Sequence, residues 1–131
     1  MRDWIDPVVF SHIAFLFNIA FWVKAGSSGC AIMLGMTVIA STIYHRSHEM
    51  DRWWGDLDSM TAIITLAYTL AVTVPRMEIP HIAGAALLLT SAFSCYLKAH
   101  KGDYQLWHTA WHLLIALGQA YLAAIYWTCS G

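Results

Sequence analysis

Residues 105–127 read QLWHTAWHLLIALGQAYLAAIYW, a run without a single Asp, Glu, Lys or Arg. A membrane-spanning helix takes about 20 mostly apolar residues, within a range of about 17 to 25, so this stretch is long enough to cross a bilayer. Four others approach the same length and character: 7–23, 29–45, 57–74 and 79–97. Short polar breaks at 24–28, 46–56, 75–78 and 98–104 separate them. Pro7, Pro75 and Pro80 fall at the ends of these runs, where proline costs a helix least. Trp4, Trp22, Trp53, Trp54, Trp107 and Trp127 also lie near ends, as an interfacial aromatic belt predicts. The expected fold is all-α: one polytopic transmembrane bundle of about five helices spanning residues 1–131.

Composition leads to the same conclusion. The 131 residues are 59% hydrophobic and 11% charged, where soluble domains carry roughly 25% charged residues. Seven Lys/Arg and eight Asp/Glu cannot clothe a soluble surface of this size, so lipid is the expected solvent. A net charge of -1 without a basic run gives no signal for nucleic acid. Cys30, Cys95 and Cys129 have neither zinc-finger spacing nor the pattern of a disulfide framework. Cys30 and Cys129 fall near the same side of the membrane, where an oxidising compartment would permit a bond between them. Asp3 and Asp6 put acid where a cleavable signal peptide carries basic residues, so the first apolar run reads as a retained helix.

Alternating helices sort the breaks by side. The side that holds the N-terminus and the loops 46–56 and 98–104 carries Arg2, Arg46, Arg52, Lys98 and Lys101. The other has only Lys24 and Arg76. The positive-inside rule then places the first side in the cytoplasm.

Three polar clusters stand out against this apolar background. Ser41 and His45 close the second run as S-T-I-Y-H, Asp58 opens the third in L-D-S-M, and His108 and His112 begin the fifth as H-T-A-W-H. Alternation brings all of them to the cytoplasmic side at similar depth. Residues i and i+4 share a helix face, so His108 and His112 can hold one ion together, and Ser41 accompanies His45 in the same way. Three neutral imidazoles with one open position form a familiar zinc arrangement. Zinc lowers the pKa of water and polarises a carbonyl oxygen, which Asp58 and Ser41 would assist by accepting and donating protons.

Other readings stand beside this one. Ser41 also suits helix packing, and Asp58 suits an N-cap or a partner for Arg52, with Asp56 competing for the catalytic role. His12, near the same side, is a fallback ligand, whereas His81 lies on the far side and His48 and His100 fall in loops. Thr61, Thr65 and Thr69 continue the Asp58 face and Gln119 continues the His108/His112 face. Such stripes commonly make interhelical hydrogen bonds, and less often a polar path for substrate or water.

The S-x-x-x-H ending one helix, the Asp opening the next and the H-x-x-x-H in the last resemble the CREST superfamily. That group includes alkaline ceramidases, progestin/adiponectin receptors, type III haemolysins and membrane proteins related to GPI-lipid phospholipases. Locally, S-T-I-Y-H-R-S (residues 41–47) looks like the haemolysin and receptor branch, and H-T-A-W-H is similar to an H-x-x-W-H found in several branches. The resemblance implies His45, His108 and His112 as ligands of Zn2+, and water-positioning roles for Asp58 and Ser41. Members usually have seven helices. Here one apolar run, rather than three, separates the helix of Asp58 from the last, which preserves the parity that brings the motifs together. A shorter bundle must be narrower, open to lipid, or completed by a second copy.

The leading expectation is therefore a zinc-dependent membrane hydrolase of a lipid amide or ester, with water as nucleophile and a membrane lipid entering from the cytoplasmic leaflet. The alternative is a receptor-like or structural membrane protein in which zinc staples helices. A haem carrier fits poorly, because two histidines at i and i+4 on one face cannot clamp both axial positions of one haem.

Overall fold

The computed structural model describes residues 7–47 and 52–129. Among them run five α-helices: α1 (Pro7–Lys24), α2 (Ser28–Arg46), α3 (Arg52–Thr73), α4 (Ile79–Ala99) and α5 (Tyr104–Cys129). A 3-10 turn, Val74–Arg76, follows α3, and all five helices are long and apolar enough to cross a membrane. The all-α bundle read from the sequence is thus the observed fold. Arg2, Asp3, Trp4, Asp6 and His48, named above, lie outside the described residues.

Local chemistry sets the helix ends. Gly26, at a φ of 86°, closes α1: its N–H meets the Val23 carbonyl at 3.0 Å and the Ser27 N–H meets the Trp22 carbonyl at 3.0 Å. This is a Schellman ending, and the left-handed residue it requires is tolerated best by glycine. Pro80 lies in the first turn of α4, where its missing N–H is not needed. Glu78 caps the same turn, and the Glu78 N–H donates to His81 Nδ1 at 3.4 Å, so His81 serves as half of a capping box. Asp103 Oδ1 accepts from the Leu106 N–H at 3.1 Å, so α5 starts at Tyr104 with its histidines in the first turns.

One boundary differs from expectation. Helix α3 opens at Arg52, ahead of the apolar run at 57, because the helix continues past the apolar stretch into a polar turn. There Arg52 Nε and Asp56 Oδ2 form an i,i+4 pair at 3.9 Å, both well exposed. Asp58 consequently sits inside the helix and is not its N-cap, and Asp56 is the acid paired with Arg52.

Packing follows a curved order. Helix α3 lies on α2, α2 on α1, α1 on α5 and α5 on α4, with a smaller contact of α3 with α5. Large apolar side chains such as Phe10, Phe17, Ile32, Ile63, Ile79 and Leu87 point outward, as a lipid-facing surface requires. Twelve polar side chains of the described residues, among them His12, Asn18, Thr65 and Gln119, are buried inside the bundle. Trp22, placed with the interfacial aromatics by its position, is fully buried and donates its Nε1–H to Gln119 Oε1 at 3.1 Å. Asn18 Nδ2 donates to the Ala116 carbonyl at 2.7 Å, which also ties α1 to α5. Thr65 Oγ1 donates to the Met33 carbonyl at 3.0 Å and lies 2.8 Å from Thr37 Oγ1, tying α3 to α2. Thr65 and Gln119 are therefore interhelical hydrogen-bonding devices, whereas Thr61 Oγ1 donates within α3 to the Leu57 carbonyl at 2.9 Å and Thr69 is fully buried. Cys30, Cys95 and Cys129 are all free thiols.

Candidate metal centre

The buried ends of α1, α2 and α5 bring histidines together. His12 lies in the second turn of α1, His45 in the last turn of α2, and His112 in the third turn of α5. These three side chains are 5%, 1% and 6% exposed, and each offers a nitrogen within 4.8 Å of the other two. Tetrahedral zinc with Zn–N bonds of about 2.0–2.1 Å holds its ligand nitrogens about 3.3 Å apart, so an ion would draw each of these rings in by less than about 1 Å. The site therefore fits a small cation.

His108 adds a fourth ring at the margin. Its Nε2 lies 3.3 Å from His45 Nε2, already the separation that two ligands of one tetrahedral ion adopt. Its ring touches that of His112 edge-on, with centroids 4.7 Å apart, and stacks on Tyr104 at the same spacing. His45 and His112 are in contact too, at 5.3 Å between centroids, and His12 stacks on His112 at 4.8 Å. The His45–His112 edge is thus shared, with His12 toward α1 and His108 toward the helix ends.

Hydroxyls surround these rings. Ser41 Oγ lies 3.1 Å from His12 Nε2, and Thr42 Oγ1 lies 3.1 Å from His12 Nδ1. A neutral imidazole has one N–H and one lone pair, so one hydroxyl donates and the other accepts. Ser11 Oγ lies 2.8 Å from His112 Nδ1 and donates to the Val8 carbonyl at 2.6 Å. Such partners orient a metal-binding imidazole from behind.

Of the residues singled out in the sequence, His45 and His112 join the three-nitrogen set, His108 borders it, and Ser41 contacts it through His12. His12, a fallback in the sequence, is a full member. Asp58 is half-buried in the second turn of α3, with its carbonyl accepting from Thr61 Oγ1 at 3.0 Å. One turn earlier, Gly55 lies so close to the Tyr44 ring that an added Cβ would come within 2.9 Å of it. That approach brings the start of α3 against the end of α2 that carries His45. Sequence reasoning missed Ser11. Its signal was the spacing Ser11, Asn18, Trp22 on one face of α1, a polar stripe that marks the inward side of a helix in lipid.

An all-imidazole donor set suits zinc, copper, iron or nickel better than hard cations such as calcium. Four neutral ligands would leave the full ionic charge inside an apolar bundle, a cost relieved by a nearby acid or a bound anion. Comparisons with protein-family models, curated proteins and solved structures find no match.

Proposed function

We propose that this protein is an integral-membrane, zinc-dependent hydrolase acting on a lipid amide or ester bond, akin to the CREST superfamily. The carrying observation is the convergence of imidazoles from three separate helices, buried in an apolar bundle with their nitrogens within 4.8 Å. Ionisable groups inside a membrane are expensive and generally functional. His12, His45 and His112 would hold the ion, with His108 beside them at 3.3 Å from His45. Bound there, zinc supplies the Lewis acidity that activates water and polarises a carbonyl.

The remaining chemistry belongs to the chain. Asp58 would accept the proton that water loses on attacking the carbonyl and return it to the departing amine or alcohol, and its negative charge would offset the cation. Ser41, already beside His12 Nε2, has a hydroxyl proton to donate to the oxyanion of the substrate. Below the His112 level, Leu66 of α3, Leu89 of α4 and Ile115, Gly118 and Leu122 of α5 line an apolar crevice of about 10 Å³, too small for an acyl chain, so the chains of a lipid substrate would lie against the outer, lipid-facing surface of the bundle. The bond to be cut would then sit at headgroup depth beside the histidines.

The test is turnover in lipid vesicles by purified protein offered ceramides and diacyl phospholipids. Wild type should release fatty acid and lose that activity to a chelator. Asp58→Asn should lower the rate about 100-fold or more with zinc still bound, the scale expected for a lost general base. A chelator-insensitive rate, or an undiminished rate in Asp58→Asn, would contradict this mechanism.

A structural role for the metal is the second reading. Four clustered imidazoles are enough to fill a tetrahedral sphere with no open position, the mark of a structural zinc. Zinc retained without turnover of any lipid in the panel would favour that reading.

A further inference from the structure

Ser11 is 3% exposed, on the face of α1 that meets α5, and its hydroxyl has a single proton. That proton is committed: Ser11 Oγ donates to the Val8 carbonyl at 2.6 Å, one helical turn back. The oxygen therefore has only lone pairs to offer His112 Nδ1, 2.8 Å away. For this contact to be a hydrogen bond, the proton between them must belong to the ring. A neutral His112 then has its N–H at Nδ1 and its lone pair at Nε2. With both partners almost fully buried, no bulk water competes for the arrangement.

We propose that Ser11 is a positioning residue of the metal centre, which fixes His112 as the Nδ1–H tautomer and leaves Nε2 as its ligand atom. The proposal rests on the reading of the histidine cluster as a metal site. It also separates two rings that look equivalent in the sequence. His12 has hydroxyls at both nitrogens, Ser41 at one and Thr42 at the other, so it must surrender a hydrogen bond before it can take an ion. His112 has a hydroxyl at Nδ1 only, with the Val8 carbonyl as a second acceptor for the ring N–H, and surrenders nothing there. A metal-binding histidine held at its other nitrogen by a hydrogen-bond acceptor loses about 10–100-fold in metal affinity when that partner is removed. No family motif points to this serine, which lies outside all the segments that resemble the superfamily.

The experiment is imidazole 15N NMR of metal-free, histidine-labelled protein in lipid nanodiscs, with His112 assigned by its loss in His112→Gln. Wild type should show His112 with a protonated Nδ1 and a bare Nε2. Ser11→Ala should shift the ring towards a mixture of tautomers and weaken zinc binding about 10–100-fold in chelator competition. Ser11→Thr, which keeps the hydroxyl, should restore both. If the threonine methyl is not accommodated and that variant fails to fold, the Ser11→Ala protein decides the matter alone. A wild-type His112 protonated at Nε2 would overturn the proposal, as would a Ser11→Ala protein with unchanged tautomer and affinity. Failure of wild type to bind zinc would overturn the metal reading instead, while the metal-free spectra still decide the Ser11–His112 arrangement.

Discussion

At the scale of single residues, the cluster is defined by which nitrogens are already engaged. His45 Nε2 and His108 Nε2 stand at ligand separation, 3.3 Å. His12 is held between two hydroxyls and His112 by one. A proton and a metal ion compete for the same imidazole lone pair, so acidification must release the ion. Zinc occupancy, followed by equilibrium dialysis, should be complete above neutral pH and fall as the solution is acidified. Its steepness should exceed that of a one-proton titration because several rings must be neutral together. A second residue-scale prediction concerns Gln119. Replacing it with Leu strands the buried Trp22 N–H, at a cost of about 1 kcal/mol, the scale measured for hydrogen bonds between membrane helices. Thermal unfolding in detergent should record that loss with zinc stoichiometry unchanged.

At the scale of elements, helix ends place the chemistry, and here the sequence was informative to different degrees. Runs of apolar residues between polar breaks made five helices legible, and alternation then placed His45, His108 and His112 at one end. The rotation of α1 was harder to read, because Phe, Ile, Leu and Val occupy nearly all of its faces. Only its polar residues, Ser11, His12 and Asn18, mark the buried side, inverting the rule for soluble helices. That is why His12 looked peripheral in the sequence and proved central in the fold. The start of α3 was misplaced for a related reason: in residues 52–56, RWWGD, two interfacial tryptophans are flanked by the exposed Arg52–Asp56 pair and followed by a glycine, so no unbroken apolar run marks that turn. Removing the α5 cap with Asp103→Ala should cost about 1 kcal/mol and fray the turn that presents His108. Hydrogen exchange should quicken at residues 104–108 while the exchange of 115–125 stays unchanged.

At the scale of the whole molecule, five membrane-length helices curl so that α1, α2 and α5 meet over the histidines while α3 and α4 form the ends of the row. The distribution of Lys and Arg predicts that the histidine end faces the cytoplasm and the end of α5 faces away from it. Cys129 is exposed at that far end and Cys30 is buried. A membrane-impermeant maleimide should therefore label intact cells at Cys129 and lose that labelling in Cys129→Ser. Labelling only after the membrane is opened would reverse the orientation. The central claim is that this end of the bundle is a metal site, and elemental analysis of the purified protein tests it most directly. One zinc ion per chain is expected in wild type, and near-complete loss in His45→Ala and His112→Ala variants that still fold. A metal-free wild type, or stoichiometric zinc retained in the folded His112→Ala protein, would contradict it.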